Sequence, residues 1–255
     1  MIDIHCHILP GIDDGAQTIE DSLAMAEDAV NQGIHTIIAT PHHQNGRYTN
    51  VKLDILTYVK LFNERLQEEN IPLTILPGQE TRINGEVITE LENNIVLPLN
   101  ETSKYVFVEF PSSSVPRYSK QMLFDIQVAG YTPIIVHPER NQAIAEHPSL
   151  LYEFVQKGAL SQVTAASLVG KFGKTIQKFS HQLVEANLAH VIASDAHNTT
   201  TRGFALSEAY QAVQDQHGSD AFYMFVENAQ FILDNQNLIK YEPEPVKRKK
   251  ILGIF

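Results

Sequence analysis

Seven short apolar segments alternate with longer stretches of helical periodicity, and this alternation constrains the fold more than any other feature. Each segment is rich in β-branched or aromatic residues, as in strands that are buried on both faces of a parallel sheet. The predicted strands cover residues 2–4, 35–40, 73–78, 105–110, 132–137, 160–165 and 190–195. Parallel strands joined by helices need right-handed crossovers, so the sequence predicts an α/β fold. At 255 residues a barrel is the natural closure, although a doubly wound sheet also fits.

Helices are predicted between these strands and after the last one. The first has Thr18 as its N-cap, Asp21 three residues later and Gly33 at its C-terminal end, which are typical start and stop signals. The predicted helices cover residues 19–32, 51–69, 83–92, 118–129, 148–157, 171–187, 205–216 and 219–229. No linker or internal repeat interrupts the alternation, so we expect a single domain over residues 1–255.

The end of the chain differs in composition from the rest. A short tail from about residue 242 contains a basic cluster, Lys247, Arg248, Lys249 and Lys250. We expect this cluster to be solvated, with the docking of a partner as the alternative.

The charge and the cysteine content exclude several classes of function. With 19 basic and 30 acidic residues the net charge is −11, so general affinity for nucleic acid or anionic lipid is not expected. No apolar run approaches the length of about 18 residues that a membrane span needs, and the amino terminus MIDIHCHILP does not resemble a signal peptide. A single cysteine permits no internal disulfide, which is typical of the reducing cytoplasm, where we expect the protein.

Side chains that can bind metal recur where the predicted strands end. The first strand ends in His5-Cys6-His7, and the last is followed by Asp195 and His197. In a parallel α/β barrel these strand ends share one face, so residues far apart in sequence converge on one pocket. The candidate ligands are His5, His7, Asp14, His42, Glu80, Glu109, His137, Asp195 and His197.

The chemistry of these candidates indicates a metal cluster. The H-x-H spacing of His5 and His7 puts both imidazoles on one side of a strand, where one cation can take both. Nitrogen and carboxylate ligands without thiolate suit manganese, zinc or iron. Five histidines and four carboxylates are more than one ion can bind, so we expect two or three ions. Taken alone, each residue has an ordinary alternative, such as a turn contact for Asp14 or a salt bridge for Glu80.

Other residues near these motifs receive no firm role. The sequence does not assign His43 to the metal cluster or exclude it. Tyr48 is either a gate of the pocket or an ordinary loop residue. The remaining histidines are expected to be bystanders: His35, His147, His181, His190 and His217.

Together the motifs D-I-H-C-H, T-P-H-H, H-P-E-R and S-D-A-H resemble the PHP (polymerase and histidinol phosphatase) superfamily. More narrowly, I-D-I-H-C-H-I-L-P-G-I-D-D-G, V-E-F-P, H-P-E-R-N and S-D-A-H-N resemble the CpsB/CapC/YwqE-type tyrosine phosphatases of Gram-positive capsule and exopolysaccharide systems. The resemblance runs from Met1 to about Phe204. It implies a distorted (β/α)7 barrel of the PHP type and a cluster of three metal ions. Manganese is the first expectation for the metal, with iron or zinc as alternatives.

The resemblance also implies how the ligands are divided among the ions. One ion would be held by His5, His7, Glu80 and Asp195. Glu80 would bridge to a second ion, held with Glu109 and His137. The third ion would be held by Asp14, His42 and His197. Arg140 in H-P-E-R and Arg202 in H-N-T-T-T-R-G-F match two arginines that grip the substrate phosphate; the alternative for either is pairing with a surface carboxylate.

Charge and cysteine placement also favour metal-dependent phosphatase chemistry. Three divalent ions bring about six positive charges against four carboxylates, so the pocket stays positive within an acidic protein and suits a phosphomonoester. A cysteine-dependent phosphatase needs C-x5-R, whereas Ile12 stands six residues after Cys6. We therefore expect Cys6 to be a small core residue.

The sequence favours a metal-dependent protein-tyrosine phosphatase that acts on phosphotyrosine in a partner bacterial tyrosine kinase. A small-molecule phosphatase, such as a histidinol-phosphate phosphatase, is one alternative, and a non-catalytic metal-binding regulator is another. A nuclease is disfavoured because the acidic chain lacks a basic track.

Overall fold

The computed structural model describes residues 1–247, which form an α/β structure. Within these residues the strands are β1 (Ile2–Cys6), β2 (Thr36–Ala39), β3 (His42–His43), β4 (Thr74–Pro77), β5 (Glu80–Arg82), β6 (Tyr105–Glu109), β7 (Thr132–Val136), β8 (Leu160–Thr164) and β9 (Val191–Ala193). The helices are α1 (Ile19–Asn31), α2 (Lys52–Glu68), α3 (Val87–Glu92), α4 (Ser119–Val128), α5 (Gln142–Glu146), α6 (Ser149–Gln156), α7 (Ala165–Leu168), α8 (Lys174–Glu185), α9 (Leu206–His217) and α10 (Ser219–Leu233). Of the predicted basic cluster, Lys247 is described, and the other three residues lie outside the described part.

The strands pair in parallel in two sheets. One sheet has the order β1-β2-β4, and the other has the order β3-β5-β6-β7-β8-β9. This arrangement confirms the predicted parallel α/β fold. It places the carboxyl ends of successive strands along one face, where ligands bind in folds of this type.

Two predicted strands are each followed by a second short strand that belongs to the other sheet. β2 leads into β3 through Pro41, which lacks the N–H group that a continuous ladder needs. β4 leads into β5 through Gly78, where a Cβ would lie 2.6 Å from Ile38 Cγ2. β3 and β5 were not predicted, because two or three residues are too few to show a periodicity.

Hydrogen bonds also join the ends of the first and last strands. Asp195 N, just after β9, donates to His5 O at 2.9 Å, and His7 N donates to Ala196 O at 2.9 Å. These bonds bring the first and last metal-binding motifs of the chain side by side. Candidate ligands from the ends of the first and last strands, such as His5 and Asp195, therefore lie at one site.

The predicted helices are present, with ends shifted by a few residues. Thr18 Oγ1 accepts from Asp21 N at 3.1 Å and Asp21 Oδ2 accepts from Thr18 N at 3.0 Å, so α1 has a complete capping box. α8 begins at Lys174 rather than at 171, because Gly173 has a φ of +94° that no helix accommodates. The short helices α5 and α7 and a 3-10 turn over Pro138–Arg140 were not predicted.

A small apolar cluster lies directly beneath the strand ends. It contains side chains of β1, β2, β6, β7, β8 and β9, and its Phe107 ring lies 4.9 Å from the His5 ring. Cys6 belongs to the larger core cluster and is fully buried, which confirms its predicted place in the core. The candidate site therefore adjoins buried apolar side chains of the strands.

Candidate metal centre

The nine predicted ligands meet at the carboxyl ends of the strands, with the Glu80 carboxylate at their centre. Glu80 is fully buried, and its Oε2 lies 3.4 Å from His5 Nε2, 3.3 Å from His7 Nε2 and 2.9 Å from His42 Nδ1. Its other oxygen, Oε1, lies 2.8 Å from His137 Nε2. One carboxylate therefore contacts four histidines from three different segments of the chain, as a bridging ligand would.

Ligand atoms within 4.8 Å of one another form three groups in the described residues. The groups are His7, Asp14, His42 and His197; His5, His7 and Glu80; and His42, Glu80 and Glu109. Asp195 Oδ1 adjoins the second group, at 3.5 Å from His5 Nε2 and 3.3 Å from His7 Nε2. The first and third groups share His42, whose Nδ1 faces Glu80 while its Nε2 lies 3.3 Å from Asp14 Oδ1.

The hydrogen bonding of the site fits a bound cation. His42 Nδ1, Glu80 Oε2 and His197 Nε2 are buried, and although His42 Nδ1 and Glu80 Oε2 lie 2.9 Å apart, none of the three atoms has hydrogen-bond geometry with any described residue. Buried polar atoms without hydrogen bonds are rare and costly, and here several lie within reach of one another. Imidazole nitrogens and carboxylate oxygens are suitable ligands for divalent transition metals. The residues present thus fit the metal cluster that the motifs predict.

Hydrogen bonds to the Nδ1 atoms of three histidines orient their imidazole rings toward the candidate metal centre. His5 Nδ1 donates to Gln162 Oε1 at 2.9 Å, and His7 Nδ1 donates to Asp13 Oδ2 at 2.7 Å. His197 Nδ1 likewise donates to a backbone oxygen, Asp195 O, at 2.9 Å. With Nδ1 protonated and bonded, each Nε2 keeps a lone pair directed into the cluster, which is the usual arrangement of metal-binding histidines.

Asp13 and Gln162 were given no role by the sequence analysis. Gln162 stands in β8 with all of its neighbours buried, and a polar side chain in such a strand is a usable signal. Asp13 directly precedes the candidate ligand Asp14 in the GIDDG turn, and its contact with His7 has no signal in the sequence. The GIDDG turn packs closely on β1, because a Cβ at Gly15 would lie 2.0 Å from His7 O.

Arg82 is a third residue that sequence reasoning missed. Its Nε donates to Glu109 Oε2 at 2.9 Å and its Nη2 donates to Glu109 Oε1 at 2.8 Å, a two-pronged ion pair. Burial raises the pKa of Glu109, as does Glu80 beside it, while Arg82 opposes both effects. Arg82 lies in β5, whose existence was not predicted, so its proximity to Glu109 was not visible in the sequence.

The two predicted phosphate-binding arginines meet at Asp195. Arg140 Nη2 and Arg202 Nη2 both donate to Asp195 Oδ2, the latter at 3.0 Å. They line a cavity of about 210 Å³ together with His42, Glu109 and His137. Arg140 pairs with Asp195, which is buried. Arg202 pairs with Asp195 too, and its Nη1 lies 4.0 Å from Oδ2 of the exposed Asp14, so the alternative of a surface carboxylate partner applies in part to Arg202.

The electrostatics of the centre favour a cation. Burial would lower the pKa of His42, but Glu80 and Asp14 outweigh it and raise that pKa to about 10. For Asp195 burial acts in the other direction and raises the pKa, but Arg140 and the neighbouring histidines outweigh burial and hold this pKa well below its usual range. The same negative field that stabilises a proton on His42 favours a divalent metal ion.

The remaining histidines lie apart from the three ligand groups. His43 is buried and its Nε2 lies 3.8 Å from Glu90 Oε2, so it does not join the cluster. His181 and His217 form a pair with each other, 2.9 Å between Nδ1 and Nε2. His190 is buried and accepts a hydrogen bond from Ser161 N at 3.1 Å.

The fold and the site define a class: an α/β protein whose parallel strands carry a His/carboxylate metal centre next to an arginine-lined cavity. The chain belongs to the family described as capsular polysaccharide synthesis, CpsB/CapC, whose profile matches residues 1–234. This confirms the narrower of the resemblances seen in the motifs.

Named relatives support the assignment over the whole chain. Tyrosine-protein phosphatase YwqE of Bacillus subtilis (strain 168) is 53% identical over 255 residues, covering 100% of both chains. Tyrosine-protein phosphatase CpsB of Streptococcus agalactiae serotype V is 30% identical over 241 residues, covering 92% of this chain and 99% of the relative.

Solved structures agree with the fold. One comes from work on YwqE from Bacillus subtilis and CpsB from Streptococcus pneumoniae, described as unique metal-dependent tyrosine phosphatases. It matches with a TM-score of 0.95 and 53% identity, covering 97% of this chain and 100% of the other. A β-aspartyl dipeptidase from Fervidobacterium islandicum, 13% identical with a TM-score of 0.55, covers 91% of this chain and 72% of its own and shares the fold alone. Among the described residues no helix is long and apolar enough to span a membrane.

Proposed function

We propose that this chain is a metal-dependent protein-tyrosine phosphatase that hydrolyses phosphotyrosine in proteins. The observation that carries the proposal is the meeting of Arg140 and Arg202 at Asp195, directly beside the Glu80-centred ligand cluster. Two guanidinium groups next to a metal centre suit the oxygens of a phosphomonoester. The names of the relatives, tyrosine-protein phosphatase in both cases, support phosphotyrosine as the substrate class.

We also propose the closed form of the fold. The two sheets together would form a distorted (β/α)7 barrel of the PHP type, and residues 1–255 one phosphatase domain. The hydrogen bonds between β1 and the residues after β9 support this closure.

The metal ligands follow the division that the resemblance implies. His5, His7, Glu80 and Asp195 would hold one ion; Glu80, Glu109 and His137 a second; Asp14, His42 and His197 a third. The groups that contain His5, His7 and Glu80 and Asp14, His42 and His197 support the first and third ions. For the second ion, Glu80 and Glu109 lie together in a group with His42, and His137 Nε2 lies 2.8 Å from Glu80 Oε1. Manganese is the first expectation, with iron or zinc the alternatives. When bound, such ions supply Lewis acidity, which lowers the pKa of water toward neutrality and offsets charge on phosphoryl oxygens.

The protein groups hold the substrate and the site in place. Arg140 and Arg202 exchange Asp195 Oδ2 for phosphate oxygens, which neutralises charge that grows in the transition state. Asp13 and Gln162 fix the orientation of His7 and His5. Cys6 takes no part, because it is fully buried and its burial raises the pKa of the thiol well above the ordinary value.

The biological setting follows from the family. We propose that the substrate is a bacterial tyrosine kinase partner in capsule or exopolysaccharide synthesis; the family's description supports the capsule setting. We propose a cytoplasmic location, supported by a sequence with a single cysteine and no possible internal disulfide.

The test compares substrates on one metal-loaded preparation. The protein is stripped with chelator and reloaded with manganese, and kcat/KM is measured for a phosphotyrosine peptide and for histidinol phosphate. We expect the peptide to be the better substrate by at least tenfold. A preference for histidinol phosphate would instead support the small-molecule phosphatase. No turnover of either compound by the metal-loaded protein would support the non-catalytic regulator.

A further inference from the structure

A second cavity, of about 440 Å³, adjoins the candidate metal centre at Asp14 and His197. Its lining also includes Arg47 and Tyr48, which lie in the loop between β3 and α2. The proposed phosphate site uses the smaller cavity around Arg140 and does not account for this one. A space that opens from two proposed ligands is suitably placed for the rest of a substrate whose phosphate is bound at the centre.

The loop that carries Arg47 and Tyr48 is fixed at both ends. The Asn45 side-chain oxygen accepts from Arg47 N at 3.0 Å and from Tyr48 N at 2.8 Å, forming a turn. At the far end, the buried Asn50 side chain donates to His42 O at 2.8 Å. The positions of Arg47 and Tyr48 are therefore tied to the backbone of a proposed metal ligand.

Tyr48 presents an aromatic face beside the centre. Its ring lies nearly parallel to that of His42, with an interplanar angle of 8° and 6.4 Å between centroids. The side chain is half-buried, and its hydroxyl makes no hydrogen bond with the residues that the structure describes. The hydroxyl therefore does not hold Tyr48 in this position. The face of its ring lies next to the proposed phosphate site, where it can pack against the aryl group of a substrate.

Arg47 provides a cation at the mouth of the same cavity. Its guanidinium lies 4.9 Å from the Tyr48 ring centroid, and it pairs with no carboxylate among residues 1–247. The cavity's own carboxylates are already engaged: Asp21 caps α1, and Asp14 contacts His42 and His197. Arg47 is therefore available for a carboxylate that arrives with a substrate.

We propose that Tyr48 and Arg47 form the recognition subsite for the residue that bears the phosphate. Tyr48 packs against the tyrosyl ring, and Arg47 pairs with an acidic residue next to the phosphotyrosine. This inference rests on the proposed phosphatase function, and it adds a preference for aryl phosphates in acidic peptides. Such a subsite would select phosphotyrosine over phosphorylated small molecules by contacts outside the metal centre.

The ring contact is tested with Tyr48→Ala, with Tyr48→Phe as the variant that keeps the ring and Tyr223→Ala as an exposed control. We expect Tyr48→Ala to lower kcat/KM for a phosphotyrosine peptide by about 3- to 10-fold, the scale of one aromatic pair. The inhibition constant of inorganic phosphate, which has no ring, should change less than about twofold, because the metal centre is intact. Tyr48→Phe, which keeps the ring, should recover most of the kcat/KM that Tyr48→Ala loses, and Tyr223→Ala should retain the wild-type kcat/KM. An unchanged kcat/KM in Tyr48→Ala, or a parallel loss of inorganic phosphate affinity, would overturn the ring contact.

The acidic preference is tested with two peptides that differ only by aspartate or asparagine beside the phosphotyrosine. The wild-type enzyme should prefer the acidic peptide by about twofold to fivefold, the scale of an exposed ion pair, and added salt should reduce the preference. Arg47→Ala should abolish it, whereas Arg117→Ala, which removes another exposed arginine, should not. Equal preference in the wild type and in Arg47→Ala would overturn this part of the proposal.

Failure of the function and failure of the subsite give different results. If the metal-loaded wild-type protein hydrolyses no phosphotyrosine peptide, both proposals are overturned. If it does so and the Tyr48 and Arg47 variants behave like the wild type, the phosphatase function stands and the subsite is overturned.

Discussion

The imidazole of His7 donates from Nδ1 to Asp13 Oδ2 at 2.7 Å, which leaves its Nε2 facing Glu80 and Asp195. Asp13 also accepts from Gly15 N and His42 N, so one carboxylate organises two histidine-bearing segments. Burial raises the pKa of Asp13, but His7 outweighs burial and the net shift is downward, which keeps the group an acceptor. The relationship makes Asp13 a positioning residue for the metal centre.

Asp13→Asn should therefore weaken manganese binding by about 10- to 100-fold, the usual effect of losing an outer partner of a ligating histidine. One amide oxygen cannot accept all the bonds that the carboxylate accepts. Direct titration of chelator-treated protein with Mn²⁺ measures the effect, and Asp54→Asn, on the exposed side of α2, is the matched control. Wild-type affinity in folded Asp13→Asn would contradict the positioning role.

Replacing Arg140 or Arg202 with alanine should reduce turnover while the metal remains bound. Each guanidinium is a charge partner for the phosphate in the transition state, so kcat/KM for phosphotyrosine peptide should fall by about 10²-fold or more. Elemental analysis should show the wild-type metal content in both variants. Glu80→Ala should instead lower the metal content itself, because Glu80 is the proposed bridge between two ions. Near-normal kinetics in both arginine variants at full metal occupancy would contradict the assigned roles.

Cys6→Ser should retain most of the turnover. The thiol is fully buried and its sulfur lies 3.6 Å from Ala196 O, an acceptor that a serine hydroxyl can also use. The measurement is kcat/KM at matched metal content. Complete loss of activity in folded, metal-loaded Cys6→Ser, or trapping of a phosphocysteine, would show that the cysteine is a nucleophile after all.

Much of the architecture was predictable because strands buried on both faces are nearly continuous apolar runs. The same reasoning located the nine candidate ligands, since the ends of parallel strands share a face. It missed β3 and β5, which are two and three residues long, and with them the Arg82 contact to Glu109. The roles of Gln162 and Asp13 were not predicted either. Each accepts a hydrogen bond from the Nδ1 of a candidate metal-binding histidine, and such a contact produces no characteristic spacing in the sequence.

His190 should make the stability of the fold depend on pH. Burial, aided by Lys240, lowers its pKa to about 4. The unfolded chain takes up the proton at about pH 6.5, so the folded state loses stability as pH falls from about 6.5 to 4 and is not affected further below that. The loss should approach about 3 kcal/mol, given 1.36 kcal/mol for each pKa unit.

His190→Asn is the variant that tests this effect, because its side-chain oxygen can accept from Ser161 N and does not titrate. Urea unfolding at pH 7 and pH 4.5, with chelator present in all samples, gives the free energies. The difference between the two pH values should be smaller in the variant than in the wild type by about 2 kcal/mol. The same difference in both proteins would show that His190 does not contribute.

The central claim is that catalysis depends on cations held by the Glu80-centred cluster. The most direct measurement is the turnover of a phosphotyrosine peptide by chelator-stripped protein as manganese is added back in known equivalents, with bound metal determined in parallel. We expect no turnover from metal-free protein and recovery that follows the bound metal and reaches a plateau above one equivalent. Full turnover by protein verified to be metal-free would contradict the account.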